Sequence, residues 1–554
     1  MKIKDSEANT CFDKFFFRTL LMFVFLFVIL YFYRLGSVGL IDVDEPRYAE
    51  TGREILESGN WIVPNFNYVT RYDKPILFYW LEAISMKIFG INEFSARLPS
   101  VLSALSCVAV VFFFIKTFYS TACGLIGALI LMSCFQFAAL SRFSVTDMTL
   151  ANFTCSSIIC FFLGYNQILT SHRFFKLQVT EFSFWYLLGF VFLALAVLTK
   201  GPVAIIIISL ILLPFFWWIR KLDYFFRSKS FWIGFILFLL IVFPWYVAVH
   251  LATEGEFSRV FFGLHNFSRY TSTVSGHRGS IFYFIPVVLI GFLPWTFFLP
   301  QAISAILKKG LKSLLASTRE QSLWFCLWWF LVIFLFFSFS RTKLLTYIMP
   351  LFPALSVIVA IWFENILLKQ INNKGLMIGL GMFFLFCLVI LYICFFNLNV
   401  LLPREIKSLK LDLQIVCFAF LMFVGVSMAW ASHKDVKMTI SIFLSTFLLL
   451  YFSLVTLLLP KVDKCSQYLL RTFAKSIPKD VEIGTYQIIK PSLTFYAKRQ
   501  VKKIDTLTEL QNRLSQKEKF AFVTKKNLLN EIFLENSYKW SSDDRYVFFT
   551  NYVN

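Results

Sequence analysis

The sequence predicts an α-helical integral membrane protein of about thirteen spans, followed by a small α/β domain. Three observations predict it. The 554 residues are 58% hydrophobic, with 71 Phe and only 15% charged residues, where soluble domains run at about 25% charged. Bilayer-length apolar runs recur from Phe15 to Pro460. After Pro460 the composition turns polar and the pattern breaks into short alternating stretches.

This composition, with a mean hydropathy of +0.70, argues against disorder, a nucleic-acid-binding module and a cytosolic enzyme. The net charge of +21, from 53 Lys and Arg against 32 Asp and Glu, has three readings on so apolar a chain: nucleic acid, anionic lipid, or basic cytoplasmic loops. Placement decides between them. Spans fall near 15–35, 97–117, 121–141, 149–165, 184–199, 201–219, 231–250, 281–303, 322–340, 343–363, 375–396, 411–431 and 438–459. With Lys2, Lys4 and Lys14 in the cytoplasm, the loops 166–183, 220–230, 304–321, 364–374 and 432–437 are cytoplasmic too. They carry Arg220, Lys221, Lys308, Lys309 and Lys374 with few acids, as the positive-inside rule asks. The long loops 36–96 and 251–280 and the tail then lie outside. No small-x-small cleavage site follows Tyr33, so the first span is expected to remain as an anchor.

The membrane domain is thus 1–459 and the tail domain 460–554. In the tail, β-like stretches (Glu482–Ile488, Phe520–Thr524, Tyr546–Thr550) alternate with polar helical ones (Thr506–Ser515, Lys526–Glu535). Most cysteines, such as Cys107, Cys134, Cys160 and Cys387, sit in apolar runs, and no CxxC pair occurs. Neither a disulfide framework nor a zinc ribbon follows. With no P-loop, no GxGxxG and no internal repeat, no nucleotide cofactor is expected.

The first external loop is the most informative segment. Asp42-Val43-Asp44-Glu45-Pro46-Arg47-Tyr48-Ala49-Glu50 reads as a helix capped by Asp44, with Pro46 in its first turn and Gly59 as its stop. That accounts for structure but not for three acids and an Arg directly after a membrane span, where carboxylates are costly unless they face a polar cavity or serve a function. Farther on, Arg71-Tyr72-Asp73-Lys74-Pro75 precedes an aromatic amphipathic stretch. An interfacial helix anchored by snorkelling side chains is one reading, and a phosphate held at the membrane surface is the other.

More ionisable groups stand at predicted helix ends on this side: Asp147, Lys200 in Thr199-Lys200-Gly201-Pro202, and Arg341 and Lys343 before Tyr347. Each alone is a solvated cap; together they gather charge on one face while the span interiors stay nearly clean. A transporter instead places polar groups near mid-membrane on broken helices. The second long loop holds His250, His265 and His277, without an HExxH or an i,i+4 pair, so the residues themselves make no metal site.

These motifs resemble a known family. Asp44-Glu45-Pro46-Arg47-Tyr48-Ala49-Glu50, Ser58-Gly59-Asn60-Trp61-Ile62-Val63-Pro64 and Tyr72-Asp73-Lys74-Pro75 are similar to the bacterial 4-amino-4-deoxy-L-arabinose transferases acting on lipid A. Those are GT-C glycosyltransferases, related to the dolichyl-phosphate-mannose protein mannosyltransferases. Shorter matches recur at Thr199-Lys200-Gly201, Phe243-Pro244-Trp245, His265 to Arg269, Pro286 to Trp295 and Lys343 to Tyr347. The resemblance implies a thirteen-span inverting enzyme of the bacterial inner membrane. Its donor is a sugar on undecaprenyl phosphate, and its acceptor is lipid A or another glycolipid at the periplasmic face.

The resemblance also implies roles. Asp44 stands at the family's essential first-loop acid and Asp147 at a second functional acid. Lys74, Arg269, Tyr72 and Tyr347 match positions that hold the carrier phosphate, and Arg47 and Lys200 match further cavity residues. His265 matches a metal-binding His whose partner is an acid just before the Lys, so a divalent, zinc-like metal is implied on His265 and Asp73. Relatives carry Glu where this chain has Asp73, one methylene shorter. A protein or polysaccharide glycosyltransferase of the same fold is the alternative, and a lipid-linked-sugar transporter is the alternative from another class.

Overall fold

The computed structural model describes residues 14–174, 182–263, 279–371, 373–397, 410–432, 435–466, 468–516, 518–531, 537–542 and 545–552. The chain is a multi-span membrane protein. Among the described residues, nine helices are long and apolar enough to cross a bilayer, from Lys14–Phe32 to Val436–Lys464. Two further apolar stretches are sharply bent rather than straight: Thr121–Ser133 meets Phe135–Ser141 at 70°, and Ile281–Gly291 meets Trp295–Lys308 at 104°. The first bend falls where Cys134 leaves helical geometry. The second contains Pro294, which has no N–H to donate and disfavours helix in the residue before it. The Phe184–Lys200 and Val203–Trp218 helices are shorter. They are parted by Gly201, whose φ of +92° suits glycine alone, and by Pro202.

Tight packing holds the bundle. Lipid is as apolar as the side chains, so helices associate through close contact and small residues rather than through exclusion of water. Gly164 lies against the Tyr186 ring, where a Cβ would collide, and Gly189 lies closely against Phe161. The many Phe side chains interlock: Phe162 and Phe325 have ring centroids 4.7 Å apart, and Phe216 and Phe225 4.5 Å. Each such pair contributes about 0.5–1.5 kcal/mol beyond its area.

The 36–96 segment is itself folded. It contains the Asp44–Ser58 helix, a two-stranded hairpin of β1 (Asn65–Phe66) and β2 (Val69–Thr70), and the Leu77–Phe89 helix. Gly59 ends the first helix in the left-handed conformation (φ 69°), its N–H donating to the Ile55 carbonyl, as expected. The expected cap is displaced by one residue. Val43 occupies the cap position and Asp44 is the first helical residue, where its charge still complements the helix dipole.

Beyond the last span, a five-stranded sheet is ordered β4-β3-β5-β7-β6. It comprises β3 (Glu482–Tyr486), β4 (Val501–Ile504), β5 (Phe520–Lys525), β6 (Tyr538–Ser542) and β7 (Tyr546–Thr550). β3 runs parallel to β4 and β5, while β7 is antiparallel to β5 and β6. The three buried strands are those the sequence predicts. The missed ones are the edges β4 and β6, whose lysines protect an exposed edge and blur its apolar alternation. Of the two predicted tail helices, one is helix Leu507–Leu514, capped by Thr506, and the other is a 3-10 segment, Lys526–Glu531.

Candidate active site

The frame of the site is a buried ion pair. Glu45, next to Asp44, meets Arg97 of the Glu93–Phe118 helix through two bonds of 2.9 Å. The other Arg97 donors reach the carbonyls of Leu35, Val38 and Gly39, all at 2.9 Å. All five guanidinium N–H groups are therefore used. Glu45 also accepts the N–H groups of Ile41 (2.9 Å) and Ser144 (2.8 Å). Such a pair is tolerated in the interior because every remaining hydrogen-bonding site is filled. It ties the residue after Asp44 to a residue three before Asp147, so both acids share one scaffold. The 52-residue gap between Glu45 and Arg97 gave the sequence no signal for this contact.

The basic run 71–74 does not act as a block. Arg71 turns inward between the rings of Tyr48, Tyr79 and Phe66, at 4.9, 5.4 and 6.0 Å from their centroids. It pairs with both carboxylate oxygens of Asp73 and donates to the Arg47 carbonyl at 2.9 Å. Tyr72 donates to Glu256 at 3.0 Å, joining the two long loops; Glu256 was not singled out in the sequence. Lys74 is buried, and its ammonium reaches the Asp73 carbonyl at 3.2 Å.

Asp147 opens the Thr146–Phe174 helix and Lys200 closes Phe184–Lys200, and the two side chains meet at 2.5 Å. The Lys200 ammonium also lies 4.8 Å from the Tyr347 ring centroid. Thr346 and the charge of Lys74 act on the same carboxylate. Lys74, Asp147, Lys200 and Tyr347, from four separate segments, are thus brought together. Asp44 is exposed and Arg47 half-buried; among the described residues neither side chain makes a hydrogen bond or ion pair. Burial pushes the Tyr48 phenol up, opposed by Arg71 and reinforced by Asp73, Asp44 and Asp147.

Some expectations change. Lys343 is no free cation on the outer face: its ammonium caps the preceding helix, donating to the carbonyls of Phe337, Ser338 and Ser340 at 3.3, 2.8 and 2.8 Å. Arg269, His265 and His277 lie outside the described residues. Among the described residues no three His, Cys, Asp or Glu side chains come together, and the Asp73 carboxylate is engaged by Arg71. The metal implied on His265 and Asp73 thus has one of its two residues outside the described segments, and no step is built on it. Two acids not singled out as site residues lie in the same region. Glu82 is fully buried and bonded to the Ser144 hydroxyl. Glu54 is buried beside Glu50 and accepts the Tyr68 N–H.

A cavity of about 410 Å³ opens beside Lys200, lined by Val197, Pro202, Val242, Tyr246, His250 and Phe262 among others. Its walls are almost entirely apolar, and two of its polar side chains, His250 and Ser258, bond to each other at 2.9 Å.

Comparison with known proteins follows the same lines. Residues 16–254 match the family model described as dolichyl-phosphate-mannose-protein mannosyltransferase. An undecaprenyl phosphate-alpha-4-amino-4-deoxy-L-arabinose arabinosyl transferase of Shewanella sediminis (strain HAW-EB3) is 33% identical over 354 residues, 64% of this chain. The match spans 61% of that relative's length. The structure of ArnT from Cupriavidus metallidurans bound to undecaprenyl phosphate superposes with a TM-score of 0.81, covering 96% of this chain and 98% of that one at 21% identity. This chain has the GT-C fold. The archaeal oligosaccharyltransferase AglB from Archaeoglobus fulgidus, in complex with an inhibitory peptide and a dolichol-phosphate, is a more distant neighbour. It has a TM-score of 0.50 and 12% identity, with 93% of this chain and 70% of that one covered. The resemblance read from the first-loop motifs is borne out. Within the GT-C fold, those motifs form the scaffold around Asp44 and Asp147.

Proposed function

We propose that this chain is an inverting membrane glycosyltransferase that takes a sugar from undecaprenyl phosphate and passes it to lipid A or a related glycolipid. In this reading residues 1–459 are the catalytic part, 460–554 form a periplasmic domain, and the site faces the periplasm from the bacterial inner membrane. One observation carries the reading: Lys200 pairs with Asp147 beside the Tyr347 ring, with Lys74 acting on the same carboxylate, on the scaffold that joins Glu45 to Ser144 and next to an apolar cavity. Cations suit a phosphate, and an apolar cavity suits an isoprenoid chain. The names of the relatives point the same way.

The chemistry follows from charge. When the bond between the anomeric carbon and the phosphate oxygen breaks, negative charge grows on that oxygen. Lys74, with Arg269 and the Tyr72 and Tyr347 hydroxyls, stabilises it in a water-poor site, where such interactions are strongest. Lys200 is held in place by Asp147. Asp44 is the acid left to act on the reacting centre: it takes the proton of a hydroxyl acceptor. A lipid A phosphate needs no strong base, and Asp44 then faces the oxocarbenium-like carbon.

The test is transfer by the full chain in nanodiscs, with an undecaprenyl-phosphate-linked aminoarabinose donor and lipid A, read by mass spectrometry. Wild type is expected to add one sugar mass to lipid A, and Asp44→Asn, which removes the charge facing the oxocarbenium-like carbon, to lower the rate by about 10²–10³-fold. A wild-type protein that adds no sugar but moves the lipid-linked donor across vesicle membranes would overturn the reading in favour of transport.

A further inference from the structure

Asp42 lies two residues before Asp44, and the reaction as proposed does not use it. Its side chain is 4% exposed. Both oxygens are engaged by the C-terminal domain: one accepts the Ser492 N–H at 2.9 Å, the other the Ser492 hydroxyl at 2.7 Å, with the Lys490 ammonium 3.5 Å away.

This bond is one of several around the same segment. The Gly39 N–H donates to Asp463 and the Leu40 N–H to the Tyr496 hydroxyl, both at 2.8 Å. After the Asp44–Ser58 helix, the Asn67 side chain pairs with the edge strand β4. It donates to the Val501 carbonyl (2.9 Å) and accepts the Val501 N–H (2.8 Å). Asn67 has a left-handed backbone (φ 56°), which Asn tolerates better than most residues. The C-terminal domain thus grips the chain on both sides of the helix that begins with Asp44. Ala49 of that helix, with Leu40 and Met86, shares one apolar cluster with Phe473, Val481 and Phe548 of the domain.

Among the described residues the Asp44 carboxylate has no partner of its own, so its position is set by its backbone. That backbone is held from the membrane side through Glu45 and Arg97, and from the domain side through Asp42 and Ser492. We infer that the C-terminal domain is a positioning element of the active site, with Asp42 the residue through which it sets Asp44. The inference rests on the glycosyltransferase reading for what Asp44 does, but the mechanical coupling stands apart from it. A displacement of about 1 Å at a reacting group costs about 100-fold in rate, which is the scale on which such a contact acts.

The test compares wild type, Asp42→Ala, Asp42→Asn, Ser492→Ala and the Asp42→Ala/Ser492→Ala double variant, each as the full chain in nanodiscs. Asp42→Ala and Ser492→Ala are expected to lower kcat by about 10- to 100-fold, with the donor KM unchanged within error. Asp42→Asn, which keeps an acceptor for Ser492, should recover part of the loss. The double variant should be no worse than the more impaired single, because both remove one interaction. Hydrogen exchange over residues 43–48 should rise in Asp42→Ala, a readout independent of turnover. Unchanged kcat and unchanged exchange in Asp42→Ala would overturn the inference, as would multiplicative losses in the double variant. If wild type transfers no sugar, the glycosyltransferase reading fails and the exchange measurement alone decides the coupling.

Discussion

Glu54 shows what the environment does to a single side chain. Burial, reinforced by the neighbouring charge of Glu50, pushes its carboxyl up to about 8, from an ordinary value near 4.3. Its oxygens accept the Tyr68 N–H, which pins the β1–β2 hairpin to the Asp44–Ser58 helix. A group whose pKa is raised by folding binds its proton more tightly in the native state. It therefore contributes stability at low pH that is lost as pH rises from about 4 to about 8. The protein is expected to melt at a lower temperature near pH 8 than near pH 5, and Glu54→Gln should flatten that slope. Fluorescence-detected melting at fixed scan rate would check it, and an equally steep slope in the variant would refute it. Glu82 carries a similar burden: burial pushes it well above the carboxylate range, and its second oxygen has no hydrogen bond among the described residues. Neither acid could be told from a surface glutamate in the sequence, because burial is not a local property. Asp44, by contrast, stood out because charges directly after a span are costly, and Lys74 because it stands in a charged run before an aromatic amphipathic stretch.

At the scale of elements, spans were legible and their bends were not. A continuous apolar run looks the same whether it is straight or turns by 70° at Cys134, since lipid and protein neighbours satisfy the same side chains. Gly201 is different. The Lys200-Gly201-Pro202 junction was visible, and its φ of +92° explains the residue: holding a side chain in that conformation costs about 1–3 kcal/mol. Gly201→Ala is expected to relax by shifting the end of the Phe184–Lys200 helix and to weaken the Lys200–Asp147 contact. Transfer should fall while the protein still elutes as a single species. Full activity with unchanged melting would show that the junction tolerates a side chain. The edge strands β4 and β6 were missed for a related reason: an edge buries little, so its sequence need not alternate.

At the scale of the whole molecule, the testable property is which side of the membrane each part of the chain occupies. The loops assigned to the cytoplasm hold exposed bases such as Arg227, and the C-terminal domain packs against the first long loop. In a background lacking the native cysteines, a Cys at Lys479 should react with an impermeant maleimide in spheroplasts. A Cys at Arg227 should react only after lysis. The reverse pattern would invert the topology and remove the site from the periplasm.

The sequence by itself determined the membrane class, the run of spans, the helix at Asp44 and its glycine stop, and which charges deserved notice. Hydropathy, capping and charge next to a span are local properties, and local properties can be read along a chain. Only the tertiary structure decided which charges are spent on the scaffold and which remain for chemistry. Arg71, Lys343, Glu45 and Asp42 are engaged by residues or carbonyls of the protein, whereas among the described residues the Asp44 and Arg47 side chains are left open. The Glu45–Arg97 and Asp42–Ser492 pairs are 52 and 450 residues apart. Whether a charge is already neutralised depends on a neighbour that the chain reaches only by folding.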